Sequence, residues 1–446
     1  MIEKERIRFL NSEKTKDREY VVYWMQNAQR IDYNHALNYA IERANDFEKK
    51  LIVYFGITDE YPEANVRHYE FMTEGLREVK TNLEKIGIKF FIEHISPDEG
   101  IINLSKKASL VVVDKGYLKI EKKWRENVSQ NIDIPLIEIE TNLTVPIETT
   151  SLKEEYGAYT IRNKIWRNLL IKEVNSNLFI NLKSNKDKFS NEFDLDVSKL
   201  NIDRSVEKSK YFIGGTSEAR KKLKKFINEK LECYEELRNN PEMDFQSDLS
   251  PYLHFGQISP IEIYLKVKDL KNSDTFIEEL IVRRELSYNF VYYNDNYDNF
   301  NSLPNWAIET LETHATDKRE QTYTIKELEE GRTHDIYWNA AQMEMNITGK
   351  MHGYMRMYWG KKVIEWTESP KEAYKTLIYL NNKYSIDGRD PNSYAGIAWC
   401  FGKHDRPWKE REIFGKIRYM NAKGLIRKFK IDDYVKKINE LSETNE

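Results

Sequence analysis

Residues 334–366, HDIYWNAAQMEMNITGKMHGYMRMYWGKKVIEW, combine three tryptophans, five methionines and paired charges without a proline. The stretch reads as two helices. In the second, His352, Arg356, Trp359, Val363 and Trp366 recur at steps of four, three, four and three, which puts aromatics and one cation on a single face. The neighbouring face, Met351, Tyr354, Met355 and Tyr358, is apolar too, so the helix belongs inside a domain and Arg356 needs a buried anion. Such a face serves either core packing or a large planar ligand.

The anion has a candidate in LNNKYSIDGRDPNSYAGIAWCFGKHDRPW, residues 380–408, where Gly388 and Pro391 force turns around Asp387, Asp390 and Asn392. A long polar and aromatic segment of this kind within a helical region is usually functional. Asp387 is the proposed partner of Arg356. Upstream, FIEELIVRRELSYNF sets Glu279 and Arg283 one helical turn apart, the spacing of an i,i+4 ion pair. Gly214, Gly215 and Thr216 precede a helical pattern, where Thr216 or Ser217 serves as a cap or leaves N–H groups for an anion. Cys400 and His404 have a possible ligand spacing, but an isolated pair is weak evidence for metal, and no metal is expected.

The elements that carry these residues fall into two classes. VVYWM (21–25), LIVYF (51–55), IKFFI (88–92), LVVV (110–113) and PLIEI (135–139) are strands buried on both faces, separated by amphipathic segments, which predicts repeated βαβ units and a parallel sheet. Ligands of such sheets lie at the carboxyl ends of strands, here near Gln26 to Arg30 or Gly56 to Thr58. Neither a G-x-G-x-x-G nor a P-loop motif occurs in this half. The pattern divides the chain into an α/β domain at 1–145, a connector at 146–210 and an all-helical domain at 211–446.

With 446 residues, 40% hydrophobic and 32% charged, the chain has the composition of a soluble globular protein. No apolar run approaches the ~20 residues of a membrane span, and the charged N-terminus lacks a signal-peptide core, so no membrane and a cytoplasmic location are expected. Two cysteines, Cys233 and Cys400, exclude a disulfide framework. The net charge of -3 hides an asymmetry: residues 350–423 carry 15 Lys/Arg against 8 Asp/Glu in the most aromatic part of the chain. Basic residues interleaved with Trp and Tyr fit nucleic acid.

WNAAQMEM, TGKMHGYMRMYWGKKVIEW, LNNKY, DGRDPN, GIAW and GKHDRPW, behind LSPYLHFGQIS and EELIVRREL, resemble the class II cyclobutane pyrimidine dimer photolyases, and VVYWMQNAQRIDYNHALNYA is similar to the start of that family's antenna domain. The resemblance implies an N-terminal α/β, Rossmann-like doubly wound domain and an all-α C-terminal domain holding FAD in a U shape. It implies light-driven repair of dimers in UV-damaged DNA, in which excited FADH⁻ gives an electron to a flipped-out lesion and receives it back. Tyr234, Ser247, Leu249, Ser250 and Leu253 resemble the flavin phosphate and ribityl shell. Arg356 and Asp387 resemble the salt bridge beside the isoalloxazine, and Asn381, or Asn392 in a similar loop, the asparagine facing flavin N5. Arg238, Asn239, Glu279, Met357 and Trp399 match lesion-pocket positions, with Glu279 on the thymine edge. Arg283 stands where many relatives carry tryptophan. Lys403, Arg406 and Arg418 match residues that meet DNA or fill the gap left by the lesion. Trp359, Trp338 and Trp366 resemble an electron-transfer chain, and the seven-residue step puts Trp359 and Trp366 about 10 Å apart along one helix. The resemblance also suggests an antenna chromophore, a deazaflavin of the 8-HDF type, and a monomer.

Two other readings remain at this stage. A cryptochrome-like photosensor shares the fold, although such proteins often extend beyond a C-terminus like IRKFKIDDYVKKINELSETNE. The other is a nucleotide-binding α/β domain joined to a structural helical one.

Overall fold

The computed structural model describes residues 2–169 and 182–444. Its sheet has six strands in the order β1-β6-β5-β2-β3-β4: β1 Ile7–Phe9, β2 Tyr20–Trp24, β3 Lys50–Ile57, β4 Lys89–His94, β5 Ala108–Asp114 and β6 Leu136–Ile139. The five apolar runs are β2 to β6, all parallel. β1, not anticipated, closes the edge antiparallel to β6; its three partly exposed residues carry no apolar run to announce it.

Alternation along each strand decides the two faces. Val21, Tyr23, Leu51 and Val53 pack with the helices His35–Asp46 and Val66–Lys85. Val22, Trp24, Ile52 and Val113 face Pro97–Ser105 and Lys119–Asn131. The strand order reverses between β2 and β5, the switch point of a doubly wound sheet. There the Asp114 carboxylate accepts hydrogen bonds from the backbone N–H of Gln26 (2.8 Å) and Asn27 (2.6 Å) and from the Tyr23 hydroxyl (2.9 Å), fixing the loop after β2.

From Thr216 onward the described residues are helical or irregular. The stretch singled out from its aromatics is two helices, Ile336–Thr348 and Gly353–Trp366. Asp335 caps the first through the N–H groups of Tyr337 and Trp338, and Gly349, left-handed at φ 84, ends it. At the helix Thr216–Glu229 the second of the two alternatives holds, an anion on the N–H groups in place of a side-chain cap. The Glu78 carboxylate accepts from Ser217 N–H at 3.1 Å, so a side chain of the α/β domain answers its positive end.

Residues 146–210 do not form a free connector in their described parts. Ala158, Ile161 and Ile165 join the core of Leu280 and Ile281 in the helical domain, whereas Phe193, Leu195 and Val197 join the sheet, and Phe189 stacks on Phe91 at 4.2 Å. The seam between the domains is polar. The buried Arg30 donates to Asn142 Oδ1, Thr141 O and Gly256 O at 2.8 to 2.9 Å, and Arg67 donates to Tyr384 O at 2.7 Å. His68 Nε2 meets Ser385 O at 3.0 Å, so the α/β domain braces the turn that carries Asp387.

Glu285, also on this seam, accepts from Thr144 N–H at 2.6 Å; burial pushes its carboxyl up to about 7, against the lowering pull of the Thr144 bonds. Its folded value lies above the unfolded 4.5, so this contribution to stability is present at acid pH and is lost as pH rises through about 7. Glu285→Gln is expected to retain the Thr144 bonds and to gain up to about 3 kcal/mol relative to wild type between about pH 5 and about pH 8, read from urea unfolding.

Candidate functional site

The centre of the site is Arg356, on the helix Gly353–Trp366. Its Nη1 donates to Asn381 Oδ1 at 2.6 Å, and its Nη2 lies 3.8 Å from Asp387 Oδ1 and 3.5 Å from Ser385 Oγ. Ser385 Oγ in turn donates to Asp387 at 2.5 Å. Burial alone would raise the Asp387 carboxyl; the Arg356 guanidinium and the Ser385 and Ser250 hydroxyls outweigh it and hold the group below the ordinary carboxylate range. Asn381 is almost wholly buried within this network. Asn392 is exposed and bonds Asp390 at the start of the helix Pro391–Cys400, so the two asparagines flagged by the sequence occupy different places.

Open space lies at two glycines, one on the helix that carries Arg356 and one on the helix that follows Asp387. The helix Pro391–Cys400 is buried except along Asn392, Gly396 and Trp399, and a Cβ built on Gly396 would meet nothing within 4 Å. On Gly353 a Cβ would meet only the tip of Gln246, at 3.9 Å. A guanidinium, a carboxamide and a carboxylate in one network suit a planar heteroaromatic group with polar edges, and the residues present fit the isoalloxazine of FAD.

The loop leading to Ser250 is held by the Lys350–Asp248 ion pair, with Asp248 at φ 58. Ser250 is exposed and Ser247 half-buried, available to a ligand. Tyr234 and Leu249 are buried in an apolar cluster, where Tyr234 packs edge-on against Phe226 and Phe276. The side chains of these two therefore shape the wall of the site, and Leu253 is half-buried beside them. His352 caps the Arg356 helix; burial pushes its imidazole down to about 3, so it stays neutral there.

Glu279 departs from its expected pairing. Residues Glu278–Arg283 form a π-helical turn, with i→i+5 bonding in place of i→i+4. Arg283 accordingly lies 3.5 Å from Glu278, five residues earlier, and Glu279 pairs with Arg238 at 2.9 Å. Arg238 also sits over the Tyr234 ring, 5.7 Å from its centroid. Asn239 and Trp399 are exposed and Met357 half-buried.

Among the basic residues, Arg406 is exposed and Arg418 half-buried, their guanidiniums 5.7 and 5.2 Å from the ring centre of Trp408, itself 41% exposed. Lys403 corrects the sequence reading. It is buried, bonds Ser302 O at 2.8 Å, pairs with Glu154 and covers the Phe290 ring at 4.6 Å. Its charge is spent inside the fold and is not offered to a phosphate.

The three tryptophans are buried and linked. Trp359 Nε1 donates to Gln342 Oε1 at 2.8 Å, and Trp338 Nε1 to Trp359 O at 3.0 Å. The Trp338 and Trp366 rings are 5.6 Å apart, edge to face. Two residues that sequence reasoning missed continue the series: Tyr323 and His334 each pack 5.3 Å from Trp366, and Tyr323 Oη lies 2.5 Å from His334 Nδ1. No periodicity in the sequence connects Tyr323 to Trp366.

At the strand ends of the α/β domain, a cleft of about 790 Å³ is lined by Gln26, Gly56, Thr58, Met72, Trp124 and Phe255, among others. Both polar atoms of the Gln26 amide and Gln29 Oε1 are buried without a partner. Orphaned amide groups in an apolar cleft fit a second planar ligand with polar edges. No helix among the described residues is long and apolar enough to cross a membrane.

A family model described as DNA photolyase matches residues 21–177. The chain is 51% identical over 449 residues to a deoxyribodipyrimidine photo-lyase of Methanothermobacter thermautotrophicus, covering 99% of each protein. A second relative of that name, from Arabidopsis thaliana, is 40% identical over 445 residues, covering 94% of this chain and 89% of its own length. Among solved structures, an archaeal photolyase from Sulfolobus tokodaii with two FAD molecules superposes with a TM-score of 0.72 at 18% identity, over 94% of this chain and 89% of that one. A class III photolyase from Agrobacterium tumefaciens gives 0.73 at 19%, over 96% and 87%.

Proposed function

The chain belongs to the DNA photolyase family, an enzyme family whose full-length relatives here are deoxyribodipyrimidine photo-lyases, and from that premise we propose that it repairs cyclobutane pyrimidine dimers in UV-damaged DNA, as a class II member. The observation that carries this is the buried Arg356–Asn381–Asp387 network. It answers the polar edge of a flavin and stands on the same helix as Trp359.

FAD, held in its reduced form FADH⁻, would supply on excitation the electron that opens the cyclobutane ring and would take it back once the ring has opened. The chain's residues prepare that event. Arg356, charged and held by Asp387, places a fixed positive charge beside the flavin, and Asn381 presents its amide to the ring edge. Ser247 and Ser250 meet the ribityl and phosphate portion. Glu279, braced by Arg238, receives the polar edge of the dimer, with Met357 and Trp399 as the apolar walls. The lesion must leave the stack to reach them, and poorly stacked damaged bases are the cheapest to extrude. Arg406 and Arg418 add salt-dependent backbone affinity. Trp359, Trp338 and Trp366 would relay electrons from an external reductant inward to oxidised flavin. The Gln26 cleft receives a light-harvesting chromophore, for which a deazaflavin is the candidate.

The decisive experiment is an absorption spectrum of the purified protein followed by light-dependent repair of oligonucleotides carrying either a cyclobutane dimer or a 6-4 product. Flavin absorbance with repair of the cyclobutane dimer alone is expected; flavin without repair would favour a photosensor on the same fold. Glu279→Gln is expected to retain flavin and lose repair quantum yield several-fold, in keeping with ~1 kcal/mol or more for a charge-assisted hydrogen bond. A wild-type yield in that variant would remove Glu279 from the lesion site.

A further inference from the structure

Leu152, Tyr156 and Tyr159 are exposed by 83, 59 and 87%, three large side chains within eight residues on a stretch assigned from sequence to the connector. Single exposed aromatics are ordinary, but this group lies between two elements of the proposed lesion site. On one side, Tyr156 Oη donates to Asp405 O at 2.6 Å, and Tyr156 O meets His404 Nδ1 at 2.8 Å, which ties it to the loop carrying Arg406 and Trp408. On the other, Arg162 pairs with Glu278 at 2.7 Å, next to Glu279 on the π turn. Tyr159 precedes Arg162 by three residues on the helix Ala158–Asn168, one turn away and outward of the face that packs on the π turn.

The charge of this rim points to a polyanion. Four of its acids are each matched by a cation, Glu154 by Lys403, Glu155 by Lys164, Glu278 by Arg162 and Glu279 by Arg238, and the Asp405 carboxylate accepts from the backbone N–H of Arg406 and from Trp408 Nε1–H. Lys153, Arg167 and Arg406 remain exposed, so the outward field is positive.

We propose that Tyr156 and Tyr159 form a stacking rim for the DNA strand beside the flipped lesion, their free ring faces taking bases unstacked by its removal. This rests on the repair reading above. Aromatic faces beside a basic surface bind unpaired bases without sequence preference, and the gap created by extruding a dimer supplies such bases.

The test measures binding of the full-length protein, in the dark, to a fluorescein-labelled duplex with one central cyclobutane dimer and to the same duplex undamaged. Tyr159→Ala is expected to weaken binding of the damaged duplex between about fivefold and a hundredfold, while Tyr159→Phe stays within about twofold of wild type. Because a ring carries no charge, the slope of log affinity against log salt is expected to remain that of wild type. Wild-type affinity in Tyr159→Ala overturns the inference. Equal losses in the Ala and Phe variants overturn it as well, since they would assign the contact to the hydroxyl. A wild-type protein that does not prefer the damaged duplex would overturn the repair reading itself, and this inference with it.

Discussion

Trp359→Phe is expected to suppress photoreduction of the oxidised flavin at least about tenfold, a rise of about 1.4 kcal/mol or more in the barrier of that step. Repair by chemically reduced enzyme should be unchanged. The indole is fully buried and its Nε1–H is satisfied by Gln342, so it lies in a dry, defined position on the helix that carries Arg356. Phenylalanine keeps most of the apolar contact but is far harder to oxidise, and it leaves Gln342 Oε1 without its donor, at a stability cost of about 1 kcal/mol. The measurement is the flavin absorbance under blue light with external reductant, paired with a repair assay on dithionite-reduced protein. Photoreduction at the wild-type rate would exclude Trp359 from the relay. Loss of both activities would mean that the substitution had damaged the flavin site.

Asp387→Asn is the second large effect. It removes the counter-ion of Arg356 in a site where the side chains are only 22 and 12% exposed, and breaking one partner of a buried pair costs about 3–5 kcal/mol. The Ser385 hydroxyl keeps a partner, but the guanidinium is left with Asn381 and Ser385 alone. Purified variant is expected to carry much less flavin per chain than wild type, read from the ratio of visible to ultraviolet absorbance, and to melt at lower temperature. Full flavin content with normal repair would show that the pair does not hold the cofactor. Arg356→Lys provides the complementary case, since an ammonium cannot span Asn381 and Asp387 as a planar fork does.

What the sequence made legible follows from how each feature is encoded. β2 to β6 are buried on both faces and appear as unbroken apolar runs; β1 is three partly exposed residues and leaves no such trace. The Arg356–Asp387 pair was legible because a cation on an apolar helix face demands an anion, and the Gly388–Pro391 turns supplied one. The Glu279 pairing was not. Reading Glu279 against Arg283 assumes 3.6 residues per turn, and the π geometry gives Arg283 to Glu278 instead, while Arg238 arrives from a remote segment. Lys403 likewise looked like one more member of a basic cluster, because Glu154 and Ser302, which absorb its charge, lie far away in the chain. The roles given to most site residues came from resemblance to a family; the residue pattern by itself left the tryptophans as core packing.

The π turn at Glu278–Arg283 has a meaning for this chain as a length of polymer. It amounts to a helix carrying one residue more than its turns require, with the surplus absorbed in wider bonding. Were a single residue lost there, α-helical bonding would resume with the helices on either side still in register, while the residues inside the turn would shift by one position, about 100° of rotation each. Glu279 would turn off the site although no side chain of the site had been replaced. At this point the site depends on a count of residues, and the tolerated changes are substitutions rather than deletions.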